Sequence, residues 1–261
     1  MLIAVTRAVS STLAECELTH RPRDPINVSN AMAEHVCYEE ALRSLGATVV
    51  RAPPEPTLPD AVFVEDAALA LDEVAVITRP GAPTRRREVE SMATVLSAYK
   101  PLLRIQSPGT LDGGDVLRVR RKLYVGLSSR TNRAGVSQLE TLLNTWDYEV
   151  IRVQVTGCLH LKSAVTQVAE DLLLINPRFV RPECFAPMEM IPVAPAEADG
   201  ANALWIGGAG AGGAVIYAAH HPETAERLDR AGLRVVAVPS TELAKAEGGV
   251  TCCSVLFEAG P

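Results

Sequence analysis

Five short polar segments stand at the heads of apolar runs along this chain, at nearly even intervals. They are Phe63-Val64-Glu65-Asp66, Leu111-Asp112-Gly113-Gly114-Asp115, Leu159-His160-Leu161-Lys162-Ser163, Ala201-Asn202-Ala203-Leu204 and Gly248-Gly249-Val250-Thr251-Cys252-Cys253-Ser254. The steps are 46 residues from Asp66 to Asp112, 48 to His160, 42 to Asn202 and 50 to Cys252. Recurrence on this scale marks repeated supersecondary units. Between heads the order is constant: apolar run, tight turn, apolar run, helix. Ala67 to Leu71 and Val74 to Thr78 flank the turn Asp72-Glu73, and Asp115 to Val119 and Leu123 to Gly126 flank Arg120-Arg121-Lys122. Ala164 to Val168 pairs in the same way with Leu172 to Ile175, and Ala203 to Ile206 with Ala214 to Ala218. Apolar spacing predicts helices at about Ser29 to Leu45, Thr84 to Ala98, Asn132 to Asn144 and Pro222 to Ala231. A doubly wound sheet would alternate single strands with helices, whereas these strands come in hairpin pairs. The expected fold is therefore α/β: five ββαβ-like units closing head to tail into one propeller-like domain over residues 1–261. In that closure Val250 to Phe257 pairs with the N-terminal strand Leu2 to Val5.

Composition narrows the partners. With 48% hydrophobic and 21% charged residues the chain can bury a full core and is not disordered. A net charge of −6 disfavours nucleic acid. No run reaches the roughly 18 apolar residues of a membrane span, and Met1 to Arg7 lacks the basic and long apolar regions of a signal peptide. Ala194 to Gly200, rich in Pro, Ala and Glu, reads as a surface loop between the third and fourth units. Cys16, Cys37, Cys158, Cys184, Cys252 and Cys253 show no zinc-ligand spacing. They read as thiols in a reducing cytoplasm, and no metal or other cofactor is expected.

If the units close around an axis, Asp66, Asp112, His160, Asn202 and Cys252 face one cavity. A thiol and an imidazole there form a nucleophile with an acid/base partner. Cys253, alternating to the other face of a strand, is expected in the core. Asp60, Glu65, Asp66, Asp112 and Asp115 would repel one another unless a cation sat between them. A guanidinium is planar, permanently charged and matches carboxylates in bidentate fashion. Arg85 and Arg130 then suit the ligand's own carboxylate. Gly208 to Gly213 spells a G-x-G-x-x-G, but a strand-like run follows it where a phosphate site needs a helix, so it reads as a hairpin turn.

At these residues the chain resembles the dimethylarginine dimethylaminohydrolases of the guanidino-group-modifying superfamily. The resemblance runs through Leu58 to Asp66, Ile77 to Pro83, Thr110 to Asp115, Gly126 to Asn132, Leu159 to Ser163 and Gly249 to Ser254. It implies a five-bladed α/β propeller with pseudo-fivefold symmetry and the active site on the axis. It also implies that Cys252 attacks the guanidinium carbon of an Nω-methylated arginine. His160 would protonate the leaving amine and then activate water, and Asp112 would orient His160. Asp66 would grip the guanidinium. Asp60, Glu65, Arg85 and Arg130 match substrate contacts, Leu18 a residue of a closing loop, and Ala246 a main-chain contact. Family analogues include dimers, so monomer and homodimer both stay open. The same Cys/His/Asp set serves arginine deiminases and amidinotransferases, and a non-catalytic binder of arginine-like amino acids would keep the carboxylates. A free thiol near pKa about 8.5 is a weak nucleophile at neutral pH, and a substrate guanidinium beside it favours the thiolate.

Overall fold

Paired apolar runs separated by two or three turn residues form antiparallel hairpins, because alternate side chains can then share one buried face. The computed structural model describes residues 1–207 and 213–260. β1 (Leu2–Thr6), α1 (Val28–Ser44) and β2 (Thr48–Arg51) open the chain. β3 (Ala68–Ala70), β4 (Ala75–Ile77), α2 (Val89–Leu96) and β5 (Leu102–Arg104) follow. The next unit is β6 (Val116–Val119), β7 (Lys122–Leu127), α3 (Arg133–Leu143) and β8 (Glu149–Gln154). β9 (Val165–Ala169), β10 (Leu172–Ile175) and β11 (Glu189–Pro192) come third. The fourth unit is β12 (Ala203–Ile206), β13 (Ala214–Ala218), α4 (Pro222–Arg230) and β14 (Arg234–Val238). α5 (Thr241–Lys245) and β15 (Val255–Glu258) end the chain.

These strands make five three-stranded sheets of one design. In each, the middle strand pairs antiparallel with one neighbour and parallel with the other, as β7 does with β6 and β8. The sheet at the termini is completed by β15, which runs antiparallel to β1 with Leu2 opposite Glu258 and Val5 opposite Val255. That is the expected closure between the two ends of the chain. The fold is thus mixed α/β, with a helix crossing over between the middle and third strands wherever one is present. β9–β10–β11 departs from this: a 3-10 turn, Pro182–Phe185, replaces the helix, and its Phe185 ring packs 5.0 Å from Tyr124.

Local chemistry sets the helix ends. Asn27 caps α1 by accepting from the Asn30 N–H at 3.0 Å, and Asn132 caps α3 through Gly135 at 2.8 Å. The loop 194–200 contributes Glu197, whose carboxylate accepts the Glu223 and Thr224 N–H groups at the start of α4. The helices bury one stripe each: Val89, Met92 and Leu96 against β4, and Val136, Leu139 and Leu143 against β7. The helix expected at about Thr84 to Ala98 is shorter, because Pro83–Glu88 winds as a 3-10 turn before α2. No described helix is long and apolar enough to cross a membrane. The glycine-rich stretch 208–212 lies outside the described residues, and β13 begins directly beyond it at Ala214.

One local expectation needs correction. The polar heads are not strand starts. Four of them carry tight 3-10 turns, Val64–Ala67, Gly113–Asp115, Leu161–Ser163 and Thr251–Cys253, and the strands begin after these. The turn at Val64–Ala67 packs on those at Thr251–Cys253 and Gly113–Asp115, and the latter packs on Leu161–Ser163. Asp66, Asp115 and Cys252 lie within these turns, and Asp112 and His160 directly precede two of them. Side chains from four distant segments thereby meet in one place.

Candidate active site

His160 precedes the third turn and is buried between two carboxylates. Its Nε2 lies 3.0 Å from Asp112 Oδ2, and its Nδ1 lies 3.9 Å from Asp66 Oδ1. Asp112 is held on its other side: Oδ1 accepts from the Gly81 N–H at 2.8 Å, and its own N–H donates to Thr131 Oγ1 at 3.1 Å. Gly114 has no room for a side chain, since a Cβ there would sit 2.7 Å from His160 Nδ1 and 2.8 Å from Asp66 Oδ1. Its N–H donates to Asp66 Oδ1 at 2.9 Å. Burial pulls the imidazolium down, but Asp66, Asp112 and Asp115 outweigh it and hold His160 up to about 9. Burial alone would raise Asp66, yet His160 and Arg85 bring it down to about 2. Asp115 anchors the third turn, accepting from the Leu161 N–H at 2.9 Å and from Ser128 Oγ at 2.6 Å. Burial pushes its carboxyl up to about 6.

Arg85 is committed to the protein. Nη1 reaches Asp66 Oδ2 at 2.6 Å, Nε and Nη2 clasp Glu88, and Nη2 also faces the Asp60 and Phe63 carbonyls. Arg130 differs: Nη2 donates to Thr19 Oγ1 at 3.0 Å, while Nη1 is buried without a hydrogen-bond partner. A buried, unpaired guanidinium N–H is costly, and an anionic ligand would satisfy it. Glu65 turns from the arginines and pairs with Lys162 through Oε1, while Oε2 accepts from Thr251 Oγ1 at 2.7 Å.

Cys252 sits in the last turn, half-buried, with the Gly249 N–H 3.4 Å from its Sγ. Burial pushes the thiol up to about 12, with Glu65 and Asp66 adding to it. Cys253 is buried as expected, but turn geometry places it there and strand alternation does not. The two glycines before Cys252 allow close approach to protein groups: a Cβ on Gly248 would strike the Phe63 ring, and one on Gly249 the Asn202 amide. All six cysteines are free.

Cys252, His160, Asp66, Asp60, Arg85, Arg130 and Ala246 line one small cavity, with about 20 Å³ open to the centre of a water molecule. Asp112 stands behind His160, and Glu65 lies beyond the Cys252 turn. Leu18 packs against the apolar cluster that includes Phe63, Ala246 and Cys253, and its neighbour Glu17 lines the cavity. Asp60 Oδ2 accepts the Glu17 N–H at 3.1 Å. Glu247 accepts three successive N–H groups, from Thr19, His20 and Arg21, at 2.9, 2.5 and 2.7 Å. Glu247 itself has φ +58, a conformation unusual outside glycine. Sequence reading missed Glu247, Lys162, Thr251 and Glu88; only Lys162 and Thr251, beside repeat heads, left a signal. Asp66, Asp112 and His160 offer ligand atoms within 4.8 Å of one another, but the Arg85 charge already compensates Asp66 and disfavours a metal cation there.

Comparison with known proteins places this geometry. The family profile for N,N dimethylarginine dimethylhydrolase, eukaryotic, matches residues 15–183. The N(G),N(G)-dimethylarginine dimethylaminohydrolase of Pseudomonas aeruginosa is 34% identical over 231 residues, 88% of this chain and 89% of its own. The Streptomyces coelicolor protein of that name is 37% identical over 254 residues, 97% and 95% of the two chains. This chain belongs to the dimethylarginine dimethylaminohydrolase family. Membership makes it a hydrolase of the C–N bonds of linear amidines. Its fold superposes on the crystal structure of a dimethylarginine dimethylaminohydrolase adduct with S-methyl-L-thiocitrulline with a TM-score of 0.92. The two chains are 32% identical, covering 98% of this one and 99% of the other.

Proposed function

We propose that this enzyme hydrolyses Nω-methylated arginines, asymmetric dimethylarginine and monomethylarginine, to citrulline and dimethylamine or methylamine through a covalent Cys252 adduct. The five sheets are the blades of one catalytic α/β propeller spanning residues 1–261, and the 3-10 turns face its axis. The observation that carries the reading is His160, clamped between Asp112 and Asp66 at 3.0 and 3.9 Å on the same cavity as Cys252. The related enzyme's adduct with S-methyl-L-thiocitrulline supports covalent chemistry in this scaffold.

The reaction follows from the charges. Without ligand the thiol is protonated, because burial and two carboxylates oppose a thiolate. A bound guanidinium supplies the missing positive charge, so the thiol releases its proton to solvent and the nucleophile forms only when substrate is present. Asp66 faces the guanidinium nitrogens, and Glu65 adds its charge from behind the Cys252 turn. Arg130, with its unpaired Nη1, takes the substrate carboxylate, helped by the charge of Arg85. Asp60 and main-chain groups at Leu18 and Ala246 take the α-amino end. The thiolate adds to the guanidinium carbon, and imidazolium His160 gives its proton to the methylated nitrogen as that C–N bond breaks. Neutral His160 then takes a proton from water, hydroxide adds to the thiouronium carbon, and the C–S bond breaks as the hydroxyl proton passes to the departing sulfur, leaving neutral citrulline and the Cys252 thiol.

Citrulline release from asymmetric dimethylarginine, monomethylarginine and arginine, with wild type and Cys252→Ser in parallel, tests this. Release from the methylated substrates that is lost in Cys252→Ser is expected. Release from arginine alone would overturn the substrate assignment, and undiminished turnover by Cys252→Ser would overturn the nucleophile.

A further inference from the structure

Of the five repeat heads, the fourth has no part in the chemistry above. Its polar residue, Asn202, is nonetheless fully engaged. Nδ2 donates to the Lys162 carbonyl and to Thr251 Oγ1, each at 3.0 Å, and Oδ1 accepts the Thr251 N–H at 3.0 Å. One partner is a backbone acceptor and another a backbone donor, so the amide can face only one way. Thr251 Oγ1 has a single proton, which goes to Glu65 Oε2 at 2.7 Å. Glu65 Oε1 accepts from Lys162 Nζ, and the Lys162 carbonyl returns to Asn202. These bonds close a ring through Asn202, Thr251, Glu65 and Lys162, with members from four of the five heads.

The ring touches both flanks of the nucleophile. Thr251 directly precedes Cys252 in the turn Thr251–Cys253. On the other flank lies Gly249, whose N–H faces Cys252 Sγ, whose carbonyl accepts the Cys252 N–H at 3.2 Å, and whose Cα approaches the Asn202 amide closely. A Cβ on Gly249 would come within 2.4 Å of that amide.

We infer that Asn202 is a positioning residue, which sets the place of Cys252 by holding Thr251 through hydrogen bonds and Gly249 by contact. The inference rests on Cys252 being the nucleophile. Side-chain choice supports it: an amide supplies both donors and an acceptor without adding a negative charge beside a thiol already opposed by Glu65 and Asp66. Asp at this position would lose both donors and add that charge.

The test compares Asn202→Asp and Asn202→Ala with wild type by steady-state citrulline release and by the pH dependence of iodoacetamide alkylation at Cys252. Asn202→Ala is expected to lower kcat about 100-fold, the cost of roughly an ångström of misplacement. KM should change by less than about threefold, because substrate contacts are untouched. Asn202→Asp should move alkylation of Cys252 to higher pH, since a nearby anion disfavours the thiolate. A purely structural role would lower the thermal stability of Asn202→Ala and leave its kcat at the wild-type value. Wild-type kcat and an unshifted alkylation profile in both variants would refute the inference. If neither Asn202 variant folds, Thr251→Val and Thr251→Ser decide. Loss in the first with recovery in the second supports the ring, and equal activity of the two sinks it. Failure of wild type to release citrulline from methylated arginines would refute the substrate reading instead, with the alkylation profiles still judging Asn202.

Discussion

Replacing Asp112 by Asn removes one negative charge and leaves the side-chain volume nearly unchanged. In wild type His160 titrates at about 9 against an ordinary 6.5, so the folded site prefers its imidazolium by about 3 kcal/mol at roughly 1.4 kcal/mol per pH unit. Asp66 is the largest favourable contributor, and Asp112 gives the one direct hydrogen bond, at 3.0 Å. Losing a charged hydrogen bond of that kind costs the imidazolium roughly 1.5–3 kcal/mol. The basic limb of kcat against pH, which under the proposed mechanism reports His160 as the acid that protonates the leaving amine, is expected to fall from about 9 to about 8 or lower. Stability should follow with a definite sign. A histidine raised on folding stabilises the native state fully below about pH 6.5, and that contribution fades as pH rises through about 9. Asp112→Asn should therefore lower the Tm most near pH 6 and least near pH 9.5, where a neutral His160 accepts from the new amide. Citrulline release from pH 6 to 10 and thermal denaturation at both pH values check the two arms. An unmoved basic limb together with an equal Tm loss at both pH values would refute the argument, showing that Asp112 orients His160 sterically without holding its charge.

Three other perturbations probe separate parts of the molecule. Gly114→Ala places a methyl group within 2.7 Å of His160 Nδ1 and should cut kcat by at least about 100-fold, the scale of a misplaced catalytic group; a fully active variant would contradict the packing. Glu247→Ala releases three N–H groups of the segment 17–21, so tryptic cleavage after Arg23 should quicken and KM should rise more than kcat falls. Unchanged proteolysis would mean that the segment is held without Glu247. Asn27→Ala removes the cap of α1 and should cost about 1 kcal/mol, a Tm loss of about 2–4 °C for a chain of this size, with citrulline release unchanged.

Several features were legible because they are local. Hairpin pairs were readable at Ala68–Ala70 with Ala75–Ile77 and at Ala203–Ile206 with Ala214–Ala218, since alternation and turn residues act over a few positions. The third strand of each sheet was not, because a short run such as Leu102–Arg104 carries no period of its own and is fixed by pairing with β4. The same limit hid the 3-10 turns at the heads: three or four residues are too few for periodicity to show.

By itself, the sequence determined the number of units, their hairpin order and the residue types presented at each head, because spacing, alternation and turn chemistry are written in neighbouring positions. Tertiary structure decided which charges would meet. The elevated imidazolium of His160 depends on carboxylates 48 positions away at Asp112 and still further off at Asp66. In the sequence Arg85 and Arg130 look alike, yet only closure pairs the first with Asp66 and Glu88 and leaves an N–H of the second unpaired. Glu247 reads as any surface glutamate until the chain returns to bring it against Thr19, His20 and Arg21, more than 200 positions earlier. An electrostatic field sums over groups brought close in space, and only the closed fold sets those distances.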